Sequence, residues 1–560
     1  MVSGDDPICE GAAATFRESE QNARHGASSR LGQDFQEIHV RLHFTKFPCA
    51  TENQPVLEKI RSQTPGHHSA TSMSLPSIHL CIVQPTGYVP SLGFIDQARY
   101  FRYQFRRLGA QVSMGKNRLR HGAINFVFGA HLQFEPELAR RFNCVFVNLE
   151  QLGEAGAKVA PAYLQLLSTS LVVDYDKSNV EVYRKDGEVP IVTFGYAPYL
   201  GGGRDISFDD RSIDVLFFGS VNERRQSILQ EIQAANCNVG ILQFGIYGPE
   251  RDQEIRRAKA VFNCHFYDTA RFEQARAFQC LSLGVPLISE RTATTSSPPQ
   301  FEDSVFWVPS SGVRAFFENE FRASTFGEMA RRKLINFAAY DVLDQYAAAL
   351  KHARQYFMAR TGEATTVWRP ERLHIGSGKD YMPGWFNVDI AESAEPDALL
   401  DLSGPLELPV RISCMTVGPV ELLPESVQFI YANNVLEHVR DLPRLMTNCL
   451  RLLKQGGQML IDVPYEHASS AWQDPTHVRA FNENSWSYYS DWFWYFGWFD
   501  SRFTMHTLEY LDGKLGKSTQ KQAYFMRVRL EKVLTSAAER SIARTMRADF
   551  GGLPNDDMAM

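Results

Sequence analysis

The sequence predicts an α/β protein in which short parallel strands alternate with helices in three successive units. Apolar runs that end in Gly, Asn or Asp alternate with amphipathic stretches from residue 78 to residue 307, and the pattern resumes after residue 370. Short continuous apolar runs are typical of strands that are buried on both faces of a parallel sheet. A chain of 560 residues is also too long for one core, because a domain usually holds about 100–200 residues.

Composition excludes several classes of partner. The chain has 58 Lys and Arg against 64 Asp and Glu, so no overall basic field recruits nucleic acid or an anionic membrane. Its nine cysteines are scattered without a C-x-x-C pair, which favours reduced, buried thiols over disulfides or a zinc site. The sequence shows no secretory signal and no long apolar run, so we expect a cytoplasmic protein without an integral membrane segment.

The N-terminal half is expected to contain two sheets behind a flexible leader. Residues 1–75 are polar and lack sustained periodicity, which predicts the leader. Residues 76–200 and 201–312 are predicted to form two domains, divided in the Gly-rich and acidic residues 199–212, which are typical of an interdomain linker. The predicted strands of these domains cover residues 78–83, 124–129, 144–149, 171–175, 189–195, 214–219, 239–248, 260–266 and 285–290.

Residues 313–370 are predicted to form a helical connector that ends in a short linker. Apolar side chains recur there at steps of three and four residues, which places them on one face of a helix. The residues of this predicted face are Val342, Tyr346, Ala349, Ala353 and Phe357.

The stretch "RLHIGSGKDYMPGWFNVDI", residues 372–390, predicts a strand, a glycine turn and a second strand. Gly376 and Gly378 allow a sharp turn and a close approach to a ligand because they lack a Cβ atom. Asp389 ends the second strand, where a carboxylate can accept hydrogen bonds from a ribose diol. In dinucleotide folds that acid follows the glycines by about 20 residues, whereas here Pro383 and Gly384 exclude a long helix between them.

The order of motifs after the glycine turn identifies the third unit. Asp401 ends a third apolar run, "SVQFIYANNVLEHV" predicts a strand leading to a helix, and "LRLLKQGGQMLIDVP" predicts a helix, a Gly-Gly turn and a fifth strand. From residue 373 to residue 533 the chain resembles class I S-adenosylmethionine-dependent methyltransferases, in particular the type-11-like group of bacterial surface-glycan loci. The resemblance implies a Rossmann-like domain with a seven-stranded sheet over residues 371–535, completed by the alternating run "AYFMRVRLEKVL" and followed by a tail over residues 536–560.

The resemblance also implies S-adenosylmethionine as cofactor and a set of residues around it. By this resemblance the glycine turn lines the methionine moiety, Asp389 holds the ribose, two residues flank the adenine and one lies near the sulfur. The residues of the glycine turn are Gly376, Ser377 and Gly378. Those that flank the adenine are Asp401 and Leu402, and the residue near the sulfur is Asn433. Glu437 and His438 are expected to begin a helix, either as capping and packing residues or as catalytic ones.

The methyl acceptor is expected beside the segment that follows the fifth strand. Asp474 and His477 in "DPTHVR" could form a general base, with the carboxylate tuning the imidazole; the alternative is that Asp474 caps a turn and His477 packs. Eleven aromatic residues lie between Trp486 and Phe503, a density that predicts either core packing or a stacking platform for sugar rings.

The second domain carries a candidate nucleotide-sugar site. Gly219 ends a strand and Arg224 and Arg225 start a helix, an arrangement suited to pyrophosphate. Residues 261–290, "VFNCHFYDTARFEQARAFQCLSLGVPLISE", resemble the nucleotide-binding domain of GT-B glycosyltransferases, with Cys280 in place of the usual Ala. By this resemblance the residues that face the donor are His265, Glu273 and Arg276, with Gln279 where such enzymes often have a ribose-binding Glu.

Two further features of the first domain stay open. Asp174 and Asp176 form a D-x-D that could bind a divalent metal, or could cap a helix; we assign no metal ligands from the sequence. His131 is a candidate acceptor base in the interdomain cleft.

The sequence therefore predicts two Rossmann-like domains of GT-B type followed by a class I methyltransferase domain. The expected function is transfer of a glycosyl group from a nucleotide sugar together with O-methylation of a sugar in a surface polysaccharide. The alternative is a methyltransferase whose N-terminal half is a glycan-binding or scaffolding module. The expected partners are a saccharide acceptor and, peripherally, glycan assembly machinery, with no nucleic acid.

Overall fold

The computed structural model describes residues 77–547, apart from residues 86, 154–155, 185–187, 202–205, 243–244, 267–270, 294, 359–366 and 415. The predicted leader, the end of the predicted tail, and the centres of the two predicted linkers lie outside the described residues. The described residues belong to one compact unit. It contains three main sheets and a short hairpin.

The first sheet has five parallel strands in the order β2-β1-β3-β4-β5. Three of its strands are mostly apolar and are buried along their whole length, as parallel strands between two layers of helices should be. The strands are β1 (Ile78–Ile82), β2 (Val112–Lys116), β3 (Ile124–Phe128), β4 (Asn143–Asn148) and β5 (Leu171–Asp174), and the helices are α1 (Phe94–Arg107), α2 (Leu138–Arg141), α3 (Pro161–Thr169) and α4 (Lys177–Tyr183).

The second sheet also has five parallel strands, in the order β10-β9-β8-β6-β7. Its apolar strands are separated by helices, so the α/β architecture with parallel sheets is confirmed. The strands are β6 (Ile213–Phe217), β7 (Val239–Ile241), β8 (Ala258–Asn263), β9 (Leu287–Arg291) and β10 (Phe306–Pro309), and the helices are α5 (Glu223–Ala234), α6 (Pro249–Arg256), α7 (Gln274–Ser282) and α8 (Pro299–Glu302).

Three helices, α9 (Val313–Glu318), α10 (Phe326–Ala339) and α11 (Leu343–Met358), follow the second sheet. All five residues of the apolar face predicted at the last of these helices are buried. Tyr346 packs against Tyr100 and Phe101 of α1, with ring centroids 5.7 and 4.9 Å apart. The connector therefore returns to the first sheet and covers it.

The third sheet has seven strands in the order β13-β12-β11-β16-β17-β19-β18. In this sheet β19 pairs antiparallel with both β17 and β18. Between β13 and β16 lies an antiparallel hairpin of β14 and β15. The strands are β11 (Arg372–Ile375), β12 (Phe386–Asp389), β13 (Ala398–Leu399), β14 (Val410–Cys414), β15 (Gly418–Leu422), β16 (Val427–Asn433), β17 (Leu453–Pro464), β18 (Ser501–Leu511) and β19 (Phe525–Leu534), and the helices are α12 (Leu442–Leu452), α13 (Ser470–Gln473) and α14 (Ala537–Arg547).

The prediction of a strand over residues 189–195 is wrong. Only Ile191 forms a bridge, to Asp174, and the rest of the segment is irregular. Beyond two backbone hydrogen bonds with Asp174, side chains pair with its backbone groups: Gln345 accepts from the Thr193 N–H and the Tyr100 hydroxyl accepts from the Gly195 N–H. An apolar segment can thus be buried without a sheet when neighbouring helices supply its polar partners.

Other boundaries differ in detail. Of the run predicted over residues 239–248, Val239–Ile241 forms a strand, whereas residues 243–244 lie outside the described residues. The predicted Gly-Gly turn is instead part of β17, where Gly456 has φ +73° and the pairing register shifts beside it. Strands β2, β14, β15 and β18 were not predicted because their apolar residues are interrupted by polar, Gly or Pro positions, and the short strand β10 was also missed.

The first and third sheets are joined by direct contacts. Arg118 forms an ion pair with Glu395 and donates to the carbonyl oxygen of Ala394 at 2.7 Å. The N–H of His121 donates to the carbonyl oxygen of Thr416 at 2.8 Å. A continuous apolar core extends through this junction.

None of the described helices is both long enough and apolar enough to cross a membrane.

Candidate active sites at two sheet edges

The first candidate site is the glycine turn at the carboxyl end of β11. Gly376 and Gly378 have φ values of +59° and +50°, which side chains disfavour. A Cβ atom on Gly376 would lie 2.3 Å from Val435 Cγ2, whereas one on Gly378 would meet nothing closer than 3.9 Å. The turn therefore packs tightly on the loop after β16 and leaves open space at Gly378.

Asp389 fixes the shape of this turn. Its Oδ2 accepts the Gly378 N–H at 2.8 Å, and its Oδ1 accepts the Ala391 N–H at 2.8 Å. Each carboxylate oxygen keeps a further acceptor site, which suits a pair of hydroxyl groups. The hydroxyl of Ser377 is buried and has no hydrogen-bond partner among the described residues. Such an orphaned polar atom beside open space fits a ligand-binding turn.

The other predicted cofactor residues lie near the same edge of the sheet. Asp401 follows β13 and is exposed, with its Oδ1 accepting the Ser403 N–H and hydroxyl at 2.8 and 2.7 Å. The side chain of Leu402 is 1% exposed and belongs to the core, so only its backbone could reach a ligand. Asn433 ends β16 and accepts from Asn434 at 3.0 Å.

A buried carboxylate and two imidazoles meet beyond Asn433. Glu437 and His438 lie in a short 3-10 helix, Leu436–His438, separate from α12, so they do not begin the predicted helix. Glu437 Oε1 lies 4.0 Å from His477 Nε2, and the rings of His438 and His477 are 4.7 Å apart. Burial raises the pKa of Glu437 to about 7, and the nearby imidazole of His477 opposes that rise.

The expected pairing of Asp474 with His477 is replaced by another arrangement. Nδ1 of His477 donates to the carbonyl oxygen of Ala471 at 2.8 Å. Asp474 Oδ1 instead accepts from the Thr476 hydroxyl at 2.6 Å. The oxygen of that Thr476 hydroxyl is 2.9 Å from His438 Nδ1. Asp474 therefore acts on His438 through Thr476, and the carboxylate facing His477 is Glu437. The adjacent pair in "LEH" was the signal in the sequence for this site.

The aromatic segment serves as core and as surface. The rings of Tyr488, Trp492 and Tyr495 form an exposed group in which Tyr488 lies 5.0 and 5.6 Å from the other two. Their exposed fractions are 39%, 48% and 60%. The aromatic residues of the segment that are buried in the core are Trp486, Tyr489, Phe493, Trp498 and Phe503.

The second candidate site is the carboxyl end of β6 in the second sheet. Gly219 has φ +127°, and a Cβ atom there would lie 2.8 Å from Nη2 of Arg276. Arg225 and Arg276 both bind Glu273, each at 2.7 Å, through different carboxylate oxygens. Both guanidinium groups are largely buried, whereas the Glu273 side chain is 32% exposed. One carboxylate thus bridges two cations at the mouth of the glycine turn.

The remaining predicted donor residues lie behind this bridge. Arg224 pairs with the buried Glu290, which also accepts the His265 N–H at 3.0 Å. The His265 ring contacts Thr295, and burial lowers its pKa. Gln279 is 4% exposed within α7. The arginines that converge on Gly219 are therefore Arg225 and Arg276, and Arg224 supports them through Glu290 and the segment of His265.

The two open features of the first domain also have definite surroundings. Asp174 is buried and accepts hydrogen bonds from Asn148, Asn179 and Tyr183 at 2.9, 2.8 and 3.0 Å, so it is held as a structural carboxylate. Asp176 caps α4 by accepting the Ser178 N–H at 2.8 Å. These contacts favour the capping interpretation of the D-x-D over metal binding.

His131 lies just after β3, with Nε2 3.5 Å from Glu150 Oε1. Its ring stands between those of Phe94 and Tyr163, with centroids 5.8 and 5.6 Å away. Burial lowers the pKa of His131, which favours its neutral form. A neutral imidazole can accept a proton, as a general base must.

Comparisons with known proteins agree with part of this organisation. Residues 323–509 match the family model described as a methyltransferase domain. A stretch of 162 residues is 24% identical to "Uncharacterized protein L137" of Acanthamoeba polyphaga mimivirus; it makes up 27% of this chain and 21% of that relative.

Three solved structures are similar to parts of this chain, each at low identity and low TM-score. The glycosyltransferase AviGT4, described as involved in avilamycin A biosynthesis, has 10% identity over 51% of this chain and 98% of its own, with a TM-score of 0.33. Sucrose-phosphate synthase from Thermosynechococcus elongatus has 11% identity over 51% and 100%, with a TM-score of 0.33. An S-adenosylmethionine-dependent methyltransferase from Mesorhizobium loti has 14% identity over 32% and 97%, with a TM-score of 0.20. On the match of residues 323–509, this chain contains a methyltransferase domain and is an enzyme.

Proposed function

We propose that the chain is a bifunctional transferase. In this proposal residues 371–535 transfer a methyl group from S-adenosylmethionine to a sugar hydroxyl. The two N-terminal sheets, residues 76–200 and 201–312, form a GT-B-type glycosyltransferase that uses a nucleotide sugar. The product is a methylated surface polysaccharide. The observation that carries the proposal is the turn of Gly376 and Gly378 closed by Asp389, within a region that matches a methyltransferase domain.

The residues of the turn fit the proposed cofactor. The cofactor supplies a methyl group on a positively charged sulfur. Gly378 leaves room for the ligand to approach the backbone, and Ser377 offers a buried hydroxyl that lacks a partner among the described residues. Asp389 offers acceptor oxygens for the two ribose hydroxyls. No pyrophosphate has to be cradled, which agrees with the absence of a helix directly after the turn.

A sugar acceptor is supported by the exposed aromatic group. Tyr488, Trp492 and Tyr495 present ring faces and edges to solvent within one sequence segment of the methyltransferase part. The C–H faces of sugar rings are apolar and can pack on aromatic rings. An exposed aromatic group of this kind also marks a binding surface more often than an isolated apolar residue does.

A nucleotide-sugar donor is supported by Arg225 and Arg276. Planar guanidinium groups bind phosphate oxygens in pairs, and both groups converge beside Gly219. Glu273 now occupies them. A diphosphate would replace this partly exposed carboxylate with a more highly charged anion at the same two cations.

Binding of S-adenosylhomocysteine, measured by isothermal titration calorimetry on the full chain, tests the cofactor site. We expect Asp389→Ala to weaken binding by at least about tenfold, because the turn loses the hydrogen bond between Gly378 and Asp389 and the ribose loses its acceptor. The matched control is Asp491→Ala, which removes an exposed carboxylate of the same domain. Equal affinity of wild type and Asp389→Ala would contradict the cofactor site.

A second candidate function is a methyltransferase whose N-terminal half only binds or organises glycans. The observation that favours it is the neutralisation of Arg225 and Arg276 by Glu273, together with the burial of Gln279. Hydrolysis and transfer assays with UDP-, GDP- and TDP-sugars separate the two functions. Turnover of any of these donors supports the bifunctional enzyme, and silence with all of them in folded protein supports the second candidate.

A further inference from the structure

Glu437, His438 and His477 form a cluster of possible metal ligands beside the glycine turn. One ligand atom from each residue lies within 4.8 Å of the other two. Val435, which packs on Gly376, precedes Glu437 by two residues and links the cluster to the turn. The backbone also ties the two halves of the cluster together, since the Val478 N–H donates to the Glu437 carbonyl oxygen at 2.9 Å.

Hydrogen bonds fix which nitrogen of each imidazole carries the proton. The Ala471 carbonyl can only accept, so Nδ1 of His477 holds its proton and Nε2 presents a lone pair. The Thr476 hydroxyl donates to Asp474 at 2.6 Å, so its oxygen accepts from Nδ1 of His438. Nε2 of His438 is thereby left as an acceptor. Metal-binding histidines are oriented in this way, by a carbonyl or carboxylate that holds the other nitrogen.

The carboxylate of this cluster is buried without a hydrogen-bond partner among the described residues. Glu437 is 1% exposed, and neither of its carboxylate oxygens has a hydrogen-bond partner among the described residues. The distance of 4.0 Å to His477 Nε2 is too long for a direct hydrogen bond. A buried, unpaired carboxylate is costly unless a cation or a proton accompanies it. Three lone-pair donors therefore lie close to one another.

We propose that Glu437, Nε2 of His438 and Nε2 of His477 bind one divalent transition-metal ion. Two imidazoles and one carboxylate are a ligand set for zinc, iron or manganese that leaves coordination positions open. Ligand atoms about 2.1 Å from one ion lie roughly 3–4 Å apart, so the cluster has to contract by about 1 Å. His438 is exposed and can make this movement.

The use of the ion rests on the proposed methyl transfer, although its binding does not. An acceptor hydroxyl on an open position of the ion loses its proton to water more readily than a free hydroxyl. The oxygen lone pair then forms the O–C bond to the methyl group, and the electron pair of the broken C–S bond stays on sulfur. The ion would thus supply the activation that the sequence analysis assigned to a base at His477.

Metal titration of the full chain, freed of any affinity tag and stripped with a chelator, tests the site. We expect one equivalent of Zn²⁺ by calorimetry, and Co²⁺ to give visible absorption of a bound ion. His477→Ala and Glu437→Gln should weaken Zn²⁺ binding by about 100-fold or more, and Thr476→Val by about tenfold through the orientation of His438. His467→Ala, which removes an imidazole that is 72% exposed in the same domain, should leave binding unchanged.

The outcomes separate the ion from the cofactor. Glu437 is buried and its variant could fail to fold, so His438→Asn at an exposed position provides a second test. We expect this variant to lose about 100-fold in affinity for Zn²⁺. Absence of stoichiometric Zn²⁺ and Co²⁺ binding in folded wild type, or equal binding by His438→Asn, would overturn the metal site and favour a proton or water at Glu437. S-adenosylhomocysteine binding measured on the same samples reports the cofactor site alone, so either proposal can fail without the other.

Discussion

Arg141 lies over the ring of Trp368, with its guanidinium carbon 3.4 Å from the ring centroid. Arg141 ends α2 beside the first sheet, and Trp368 precedes β11 of the methyltransferase part. The guanidinium also donates to the Val417 carbonyl oxygen at 3.0 Å. Burial lowers the pKa of Arg141 to about 10, and nearby Asp397 opposes this shift. The N-terminal half is therefore fixed to the methyltransferase part by specific contacts and not only by a linker.

Substitution Arg141→Met should destabilise this junction. We expect the free energy of unfolding to fall by about 1–3 kcal/mol, because a cation-ring contact and a hydrogen bond to a partly buried carbonyl are lost. Urea and thermal unfolding of the full chain measure the change. Arg140→Met, at the exposed neighbouring position, should alter stability by less than about 0.5 kcal/mol. Equal effects of the two variants would mean that the Arg141 contacts are not stabilising.

Gly384 should not tolerate alanine. It has φ +76°, and a Cβ atom there would lie 2.8 Å from Glu135 Oε2, which is bound to Arg372 at 2.9 Å. Gly384→Ala is expected to cost about 1–2 kcal/mol of stability from backbone conformation alone. Gly513→Ala, where the nearest atom would lie at 3.9 Å, is the control and should be close to neutral in the same unfolding experiment. The proline-glycine segment after the glycine turn would then be needed for packing against Glu135 of the N-terminal half.

Arg276 should be required for binding of nucleoside diphosphates. Arg276→Ala removes one of the two cations beside Gly219, and we expect the affinity for the best of UDP, GDP and TDP to fall by about 10–100-fold. Arg291→Ala removes an exposed, ion-paired arginine of the same sheet and should leave affinity unchanged. Calorimetry gives both values. A result in which Arg276→Ala binds like wild type would remove the arginines from the proposed donor site.

Stability should fall in mild acid because of His79. This residue is 1% exposed, and its ring nitrogens contact Ser113 at 2.8 Å and the Arg118 carbonyl at 3.0 Å. Burial, reinforced by Arg120, lowers its pKa from 6.5 to about 4. Above pH 6.5 the histidine is neutral in both states, and between pH 6.5 and 4 the unfolded chain binds the proton more readily than the folded chain.

Stability is therefore lost as the pH falls through this window, by a total on the order of 3 kcal/mol, and the loss is complete below the folded-state pKa. Denaturant unfolding at several pH values between 7 and 4 measures the slope. A His79→Gln variant should show a smaller slope over that interval. An unchanged slope would assign the acid sensitivity to other groups.

Much of the fold could be predicted because its strands are continuous apolar runs. Segments such as Ile124–Phe128 and residues 260–263 are buried on both faces, so their composition indicates their position. Strands with polar or Gly positions, such as Val112–Lys116, were missed, because their pairing depends on neighbouring strands rather than on their own pattern. The segment 189–195 shows the reverse case, in which an apolar run finds its hydrogen-bond partners on Tyr100 and Gln345 and forms no strand.

The alternation of strands and helices, the glycine turn and the position of Asp389 could be predicted without the structure, because they follow from local conformation and from apolar patterns. Which charged groups contact one another could be read only from the folded chain. In the structure Arg224 pairs with Glu290, and Glu273 pairs with both Arg225 and Arg276. The carboxylate nearest His477 is that of Glu437 and not that of Asp474. Such partners come from distant segments, and a side chain's charge does not specify which of several possible partners the packing of the sheets will bring within reach.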